Sequence, residues 1–328
     1  MIINKTTFVG PRSKSVFGFE KLGGGTVLFE NLINRLGPYD VLINSNGASK
    51  LRSLNVLFNL WLIIRFLFIS SKNHVIVMAA HRQAICFIAV NLIRRRDITI
   101  RLIGANFSYW YNDMLSKSIL GLCSKHTRIL CELECDMEFF RSFKIETLIQ
   151  ENFRDIEISP TPRKLLNETV GFIGRVCNEK GVEDFIALAN SNPNKPFVIA
   201  GPFANKNMEK LVLDSCVKLE NLSYIGVLNH TDQSKFWDHI GMLFFHSEHK
   251  GEGKPGVIVE ALLRKVVVLT NYKVHSPNWK IFYDCDAIQL TDDYQKTLTS
   301  GLRKPTWNDE ALEIFSADYC YQEMKGYA

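Results

Sequence analysis

Short apolar runs alternate with amphipathic stretches along most of the chain. Runs at Tyr39–Ile43, Val75–Ala80, Ile98–Ile103, Thr127–Leu133 and Glu146–Gln150 predict strands, and so do Thr169–Ile173, Phe197–Ala200, Leu222–Ile225, Met242–Phe245 and Val266–Leu269. Between them, helical spacing predicts helices at Thr26–Leu36, Val56–Ile69, Ile85–Ile93, Leu115–Cys123, Met137–Lys144, Glu183–Ala189, Ser234–Trp237 and Gly256–Leu263, with a last one at Asp309–Met324. Alternation of strand and helix is the signature of α/β layers with parallel sheets. Ser159-Pro160-Thr161-Pro162 interrupts the alternation, after which it restarts. Two domains are therefore expected, 1–158 and 159–306, with 307–328 as a final helix packing back on the first.

At 328 residues, each half is long enough to bury its own core. Hydrophobic residues make up 46% and charged residues 22%, which excludes a disordered chain. The net charge of +5 is uneven. Residues 1–128 hold 17 Lys and Arg against 5 Asp and Glu, a balance of +12, so the remainder sums to −7. A basic first half with apolar stretches points to an anionic surface as partner. No aromatic-basic motif of a nucleic-acid module is present, so nucleic acid is not expected. The segment Val56–Ile69 is fourteen residues long and carries Asn59 and Arg65. It is too short to span a bilayer. It reads as a helix covering the first sheet, or as an interfacial helix with Trp61, Phe66 and Phe68 in lipid and Lys50, Arg52, Arg65 and Lys72 near headgroups. Arg94-Arg95-Arg96 closes the following helix and adds to that patch.

The eight cysteines form no CxxC pair and read as reduced, mostly core thiols. Cys131 and Cys135 beside Glu132, Glu134 and Asp136, and His246, Glu248 and His249 ahead of Glu252, are conceivable metal groups, but no metal is expected. Residues Met1–Phe8 lack a signal-peptide core.

Chemistry concentrates at strand ends. Gly23-Gly24-Gly25 feeds the helix Thr26–Leu36, an arrangement able to hold phosphate with backbone amides. His81 ends the strand Val75–Ala80, where ligands of open α/β sheets bind. Asn106, Tyr109 and Trp110 lie in an aromatic loop, Phe107–Asp113, beyond another strand. Such side chains stack on sugar rings or fill cores. Gly174 and Arg175 follow one strand, and Lys180 and Gly181 precede a helix. Two cations at a strand end neutralise a diphosphate. Glu252 and Glu260 bracket the turn Gly253–Val259, whose Pro255-Gly256 opens a helix.

The stretch Glu252-Gly253-Lys254-Pro255-Gly256-Val257-Ile258-Val259-Glu260-Ala261 resembles the donor signature of the family 4 retaining glycosyltransferases of GT-B fold, E-G-F-G-L-x-x-x-E-A. Gly174, Arg175, Lys180 and Gly181 match that family's G-R-x-x-x-x-K-G. The resemblance is strong over about Val170–Leu269 and looser before it. Lys254-Pro255 stands where the family has F-G, and Lys265 and Val267 where it has a glycine and a proline.

The resemblance implies two Rossmann-like domains with an interdomain cleft and a last helix crossing back. It implies transfer of a sugar from a UDP- or GDP-linked donor to a glycan or polyprenyl-linked acceptor. Arg175 and Lys180 would hold the diphosphate, Glu252 the sugar, Glu260 the ribose, and His81 would act near the anomeric carbon. Gly24 and Gly25 are the matches for a glycine pair near diphosphate and acceptor. Gly226 and Val227 lie where the base is cradled, and Pro255, Gly256 and Val257 at the donor amides. Asn106, Tyr109 and Trp110 are acceptor candidates. The implied setting is bacterial surface polysaccharide synthesis, O-antigen- or capsule-like. The expected location is cytoplasmic, peripheral on the inner membrane face, with no cofactor. A catalytically silent GT-B-like scaffold or membrane-associated assembly protein is the alternative, and a GT-B epimerase or phosphorylase a third.

Overall fold

The computed structural model describes residues 6–12, 14–16, 24–36, 41–45, 52–69, 74–123, 126–160, 169–228, 230–248 and 251–320. The chain forms two compact units. One comprises Met1–Asp155, Gly251–Lys254 and Phe315–Ala328, and the other Ile156–Lys250 and Pro255–Ile314.

Unit 1 runs β1 (Thr6–Gly10), α1 (Gly24–Leu36), β2 (Val41–Asn44), α2 (Arg52–Leu67), β3 (His74–Ala80), α3 (His81–Arg94) and β4 (Ile98–Ile103). It continues with α4 (Phe107–Trp110), α5 (Met114–Gly121), β5 (Thr127–Cys131), α6 (Glu134–Ser142) and β6 (Glu146–Ile149). Its strands pair in the order β2-β1-β3-β4-β5-β6, all parallel. Parallel strands are covered on both faces, which is why β3 and β4 read as continuous apolar runs. Val75, Val77, Ile98, Ile100 and Leu102 are buried with Phe58, Leu62 and Phe66 of α2 on one side of the sheet. Phe8, Ile76, Met78 and Leu130 pack with Phe29 and Leu32 of α1, and also with Ala317 and Cys320.

Unit 2 runs β7 (Val170–Ile173), α7 (Val182–Ser191), β8 (Phe197–Ala200), α8 (Lys206–Lys218), β9 (Leu222–Tyr224), α9 (His230–His239) and β10 (Met242–Phe245). Then come α10 (Gly256–Leu263), β11 (Val267–Thr270), α11 (Lys280–Asp284), β12 (Ile288–Leu290), α12 (Tyr294–Ser300) and α13 (Asp309–Leu312). Its sheet order is β12-β11-β10-β7-β8-β9, again parallel throughout. Each sheet reverses its winding at one place, between β1 and β3 in unit 1 and between β7 and β10 in unit 2. In doubly wound sheets the ligand crevice opens at the carboxyl ends of the strands flanking that reversal.

Several expectations change. The loop Phe107–Asp113 contains a helical turn, α4, entered through Asn106 at φ 61°. The helix expected over Asp309–Met324 is broken: α13 ends at Leu312, a 3-10 turn spans Glu313–Phe315, and Ser316 bridges Arg154. The Arg154 N–H donates to the Phe315 carbonyl at 3.1 Å, a bond that a continuous helix would not leave open. Helices α8 and α12 stand where the apolar pattern gave none. Arg96, placed by its neighbours in a surface patch, is buried; its guanidinium donates to the Ile69 carbonyl at 2.9 Å and the Phe66 carbonyl at 2.8 Å, fastening the end of α2. Arg94 and Arg95 are exposed. Gly23, Lys50, Lys72, Pro162, His249 and Met324 lie outside the described residues. No helix among the described residues is long and apolar enough to cross a membrane.

Candidate functional site

At the winding reversal of unit 1, His81 follows the carboxyl end of β3 directly and is the first residue of α3. Its ring stacks on Trp110, with centroids 4.3 Å apart and planes 11° apart, and Tyr109 meets Trp110 edge-on at 5.2 Å. The Tyr111 hydroxyl donates to the His81 carbonyl. Burial and the neighbouring Arg82 guanidinium lower the His81 pKa, which favours the neutral imidazole. A neutral imidazole keeps one donor and one acceptor for sugar hydroxyls. The turn holding these aromatics is fixed by Asp136. Its carboxylate accepts the Phe107 N–H at 2.7 Å and the Asn106 N–H at 3.1 Å. Asn106 thus contributes a backbone bend that asparagine tolerates well. His81, Tyr109 and Trp110 form one aromatic ledge. Gly24 and Gly25, expected in a loop, are the first residues of α1, so their amides belong to its unsatisfied first turn.

The loop Gly251–Lys254 belongs to unit 1. The Ala105 N–H donates to the Gly251 carbonyl at 3.3 Å, the Lys254 N–H to Glu132 at 2.8 Å, and the Asn152 amide to the Lys254 carbonyl at 2.7 Å. The Lys254 ammonium, 1% exposed, lies 2.6 Å from Glu151. Arg101, fully buried, pairs with Glu132 at 3.4 Å. Burial raises the Glu132 pKa against the pull of Arg101 and Lys254. Glu252 sits half-exposed on this anchored loop.

At the reversal of unit 2, the loops after β7, β8 and β9 interlock. The Gly174 N–H donates to the Ala200 carbonyl at 3.0 Å and the Gly201 N–H to the Gly226 carbonyl at 2.8 Å. A Cβ on Gly201 would lie 1.8 Å from the Gly174 carbonyl oxygen, so only glycine closes this junction. Arg175 extends into solvent, 3.7 Å from Glu179. Lys180 donates to the Ser247 hydroxyl at 3.2 Å and lies 5.2 Å from the Phe245 ring centroid. The strand ends therefore bring Gly174, Arg175, Lys180 and Gly226 to one side of the sheet, with Val227 exposed beyond them. Pro255 is the N-cap of α10, with φ −64° and ψ 121°, and not part of its first turn. Its missing N–H is thus not among the terminal donors, and Gly256 and Val257 present the first free amides. Glu260 is half-buried on the same helix.

Sequence reading named His246 and Glu248 only as a conceivable metal group, and missed Asp184, Asn271 and Tyr294, which brace this side with them. His246 contacts Tyr294 at 3.2 Å, Asp184 at 3.5 Å and Glu248 at 3.6 Å, and the Tyr294 hydroxyl accepts the Asn271 N–H at 3.0 Å. Asn271 follows β11 directly, and the strand-end rule that found His81 would have found it. Tyr294 opens the unforeseen α12. Among the described residues no group of three His, Cys, Asp or Glu is placed to hold a metal. Cys131 is buried, pushed up to about 12 chiefly by burial, while Cys135 is exposed.

A sequence model of the glycosyl transferases group 1 family matches residues 153–277. An uncharacterised 42.6 kDa protein in the cps region of Klebsiella pneumoniae is 31% identical over 163 residues, 48% of this chain and 41% of that relative. The alignment thus spans less than half of the relative's length. Among solved structures, Anabaena Alr3699/HepE in complex with UDP superposes with a TM-score of 0.67 at 14% identity, covering 98% of this chain and 99% of that one. Sucrose-phosphate synthase (tll1590) from Thermosynechococcus elongatus gives 0.69 at 11% identity, covering 99% and 98%.

Proposed function

We propose, from the match of residues 153–277 to the glycosyl transferases group 1 family and from the GT-B fold, that the chain is a retaining glycosyltransferase. It takes a sugar from a nucleotide donor, UDP-linked by the bound nucleotide of the Anabaena structure, with GDP the other candidate base. The acceptor is a glycan or polyprenyl-linked oligosaccharide of surface polysaccharide synthesis, a setting supported by the cps-region relative. The carrying observation is the placement of Arg175, Lys180 and the α10 amides at the winding reversal of unit 2.

In this reading, unit 2 holds the donor. Arg175 and Lys180 bind the diphosphate with the amides of Gly256 and Val257, and Glu260 accepts from ribose hydroxyls. Glu252 contacts the donor sugar. His81 orients it as a neutral hydrogen-bonding group, and Tyr109 and Trp110 stack on the acceptor. An acceptor oxygen bonds to the anomeric carbon on the face the diphosphate leaves, the carbon–phosphate-oxygen bond breaks, and the acceptor proton passes to the departing phosphate. The cations and amides meet the growing negative charge without a bound metal. Work at the inner membrane face is supported by the basic first half of the chain and by the exposed apolar side of α2.

Thermal shift with UDP, GDP, ADP and CMP tests this. A nucleotide at about a hundred times its dissociation constant adds roughly 2.7 kcal/mol of stability. UDP is expected to raise the Tm of the wild type, equally with a chelator, and to lose its effect in Arg175→Ala and Glu260→Ala. The reading fails if no nucleotide shifts the wild type, or if the shift survives in both variants.

A further inference from the structure

Helix α2 is amphipathic in an unusual sense, because its second face is also apolar. Phe58, Leu62 and Phe66 are buried, while Leu57, Leu60, Trp61, Ile64 and Phe68 are each at least 43% exposed. Between α2 and α3 opens a cleft of about 210 Å³. Leu62 and Ile63 line it from α2, and Cys86 and Phe87 from the second turn of α3. Its polar lining is Asn59 of α2 together with Arg82 and Gln83 in the first turn of α3, the helix that begins at His81. Arg82 is exposed and makes no ion pair among the described residues.

Size and charge select the occupant. The cleft is smaller than the roughly 300 Å³ at which drug-sized ligands are enclosed. It suits one hydrocarbon chain, with the remainder lying along the exposed face of α2. Between Asp40 and Asp97 the sequence has eight Lys or Arg and no Asp or Glu. Arg82 at the cleft is exposed in a stretch without a carboxylate, so a second copy of this cationic surface is disfavoured and a phosphate is attracted. A diacyl phospholipid carries two chains for a single slot.

We propose that the α2–α3 cleft holds the phosphate-proximal end of a single isoprenoid chain, with Arg82 on its phosphate and the attached acceptor sugar toward His81 and Trp110. The proposal rests on the glycosyltransferase reading with a lipid-linked acceptor and names where that acceptor's lipid goes.

Cys86 is exposed in the cleft and Cys135 is exposed on α6, which does not line it. Brief N-ethylmaleimide labelling, read per cysteine by peptide mass, therefore carries its own control. Burial raises the Cys86 thiol, so the labelling is run in alkaline buffer. Farnesyl diphosphate at about ten times its dissociation constant is expected to slow Cys86 labelling roughly tenfold and leave Cys135 unchanged. Inorganic diphosphate alone is expected to protect nothing, and Arg82→Glu to lose most of the protection. The proposal is overturned if farnesyl diphosphate leaves Cys86 labelling unchanged, if Arg82→Glu is protected as well as the wild type, or if phosphatidylglycerol vesicles protect equally. Nucleotide thermal shift on the same sample separates the failures. An intact nucleotide shift with unprotected Cys86 removes only the lipid site, and the absence of a shift with all four nucleotides removes the enzyme reading.

Discussion

Lys254 and Glu151 form an ion pair at 2.6 Å with both side chains at or below 5% exposure. A buried pair stabilises little relative to a well-packed apolar pair, but breaking it leaves an uncompensated charge and costs about 3–5 kcal/mol. Lys254→Met is expected to lose that amount in urea denaturation, and Lys254→Met with Glu151→Leu to recover most of it. The pair also fixes the loop bearing Glu252. Lys254→Met at a temperature where it stays folded should lower turnover more than it weakens UDP binding. Equal losses in both would mean that the pair has no positioning role.

Lys265 adopts φ 54° at the end of α10, a left-handed conformation that costs non-glycine residues about 1–2 kcal/mol. Its buried ammonium reaches Asp309 at 2.9 Å. Lys265→Ala and Lys265→Gly both remove the side chain and its ion pair. They differ in backbone freedom at a left-handed position, so the glycine variant is expected to be more stable by about 1 kcal/mol. Thermal denaturation of the two variants checks this, and equal stabilities would show that the backbone relaxes elsewhere.

Ten of the twelve described strands were legible because parallel strands covered on both faces must be apolar throughout, as Val267–Thr270 and Ile98–Ile103 are, whereas β1 and β12 were not assigned. That His81 and Arg175 stand just past strands was legible because β3 and β7 read as apolar runs ended by polar residues. Helix α8 was not. It buries Met208 and Val212 beneath a mostly polar sequence, KNMEKLVLDSCVK, too thin an apolar stripe to stand out. The ionic cluster around Lys254 was hidden for another reason. Its carboxylates are Glu132 and Glu151, more than a hundred residues earlier in the chain. In sequence alone, Lys254 is simply a cation in place of an aromatic residue.

Gly181 couples the turn carrying Lys180 to His246. Its φ is 68°, and an added Cβ would stand 2.6 Å from the His246 Cβ. Gly181→Ala therefore meets both a conformational cost of about 1–2 kcal/mol and a clash with a buried ring. Unit 2 is expected to lose stability, and the displaced Lys180 to weaken UDP binding several-fold. Isothermal titration on the folded variant decides the second point. Unchanged UDP affinity would detach Lys180 from the diphosphate.

Asp136 gives the turn of Asn106 and Phe107 a pH signature. Burial raises its carboxyl from 3.8 to about 6, against the two backbone N–H groups that favour the anion. Below the unfolded value both states carry the proton and Asp136 contributes no pH dependence. Between 3.8 and about 6 the unfolded state releases its proton while the folded state keeps it. Stability then falls as pH rises, because the folded state binds more protons, by up to roughly 3 kcal/mol across the window. Above about 6 the loss is complete and constant. Denaturation of the wild type and Asp136→Asn across this range isolates the contribution, since other carboxylates titrate in both. The stability difference, wild type minus Asp136→Asn, is expected to decrease from pH 4 to pH 6 and then level off. A difference that increases over that range would mean that the amides of Asn106 and Phe107 outweigh burial and hold Asp136 ionised.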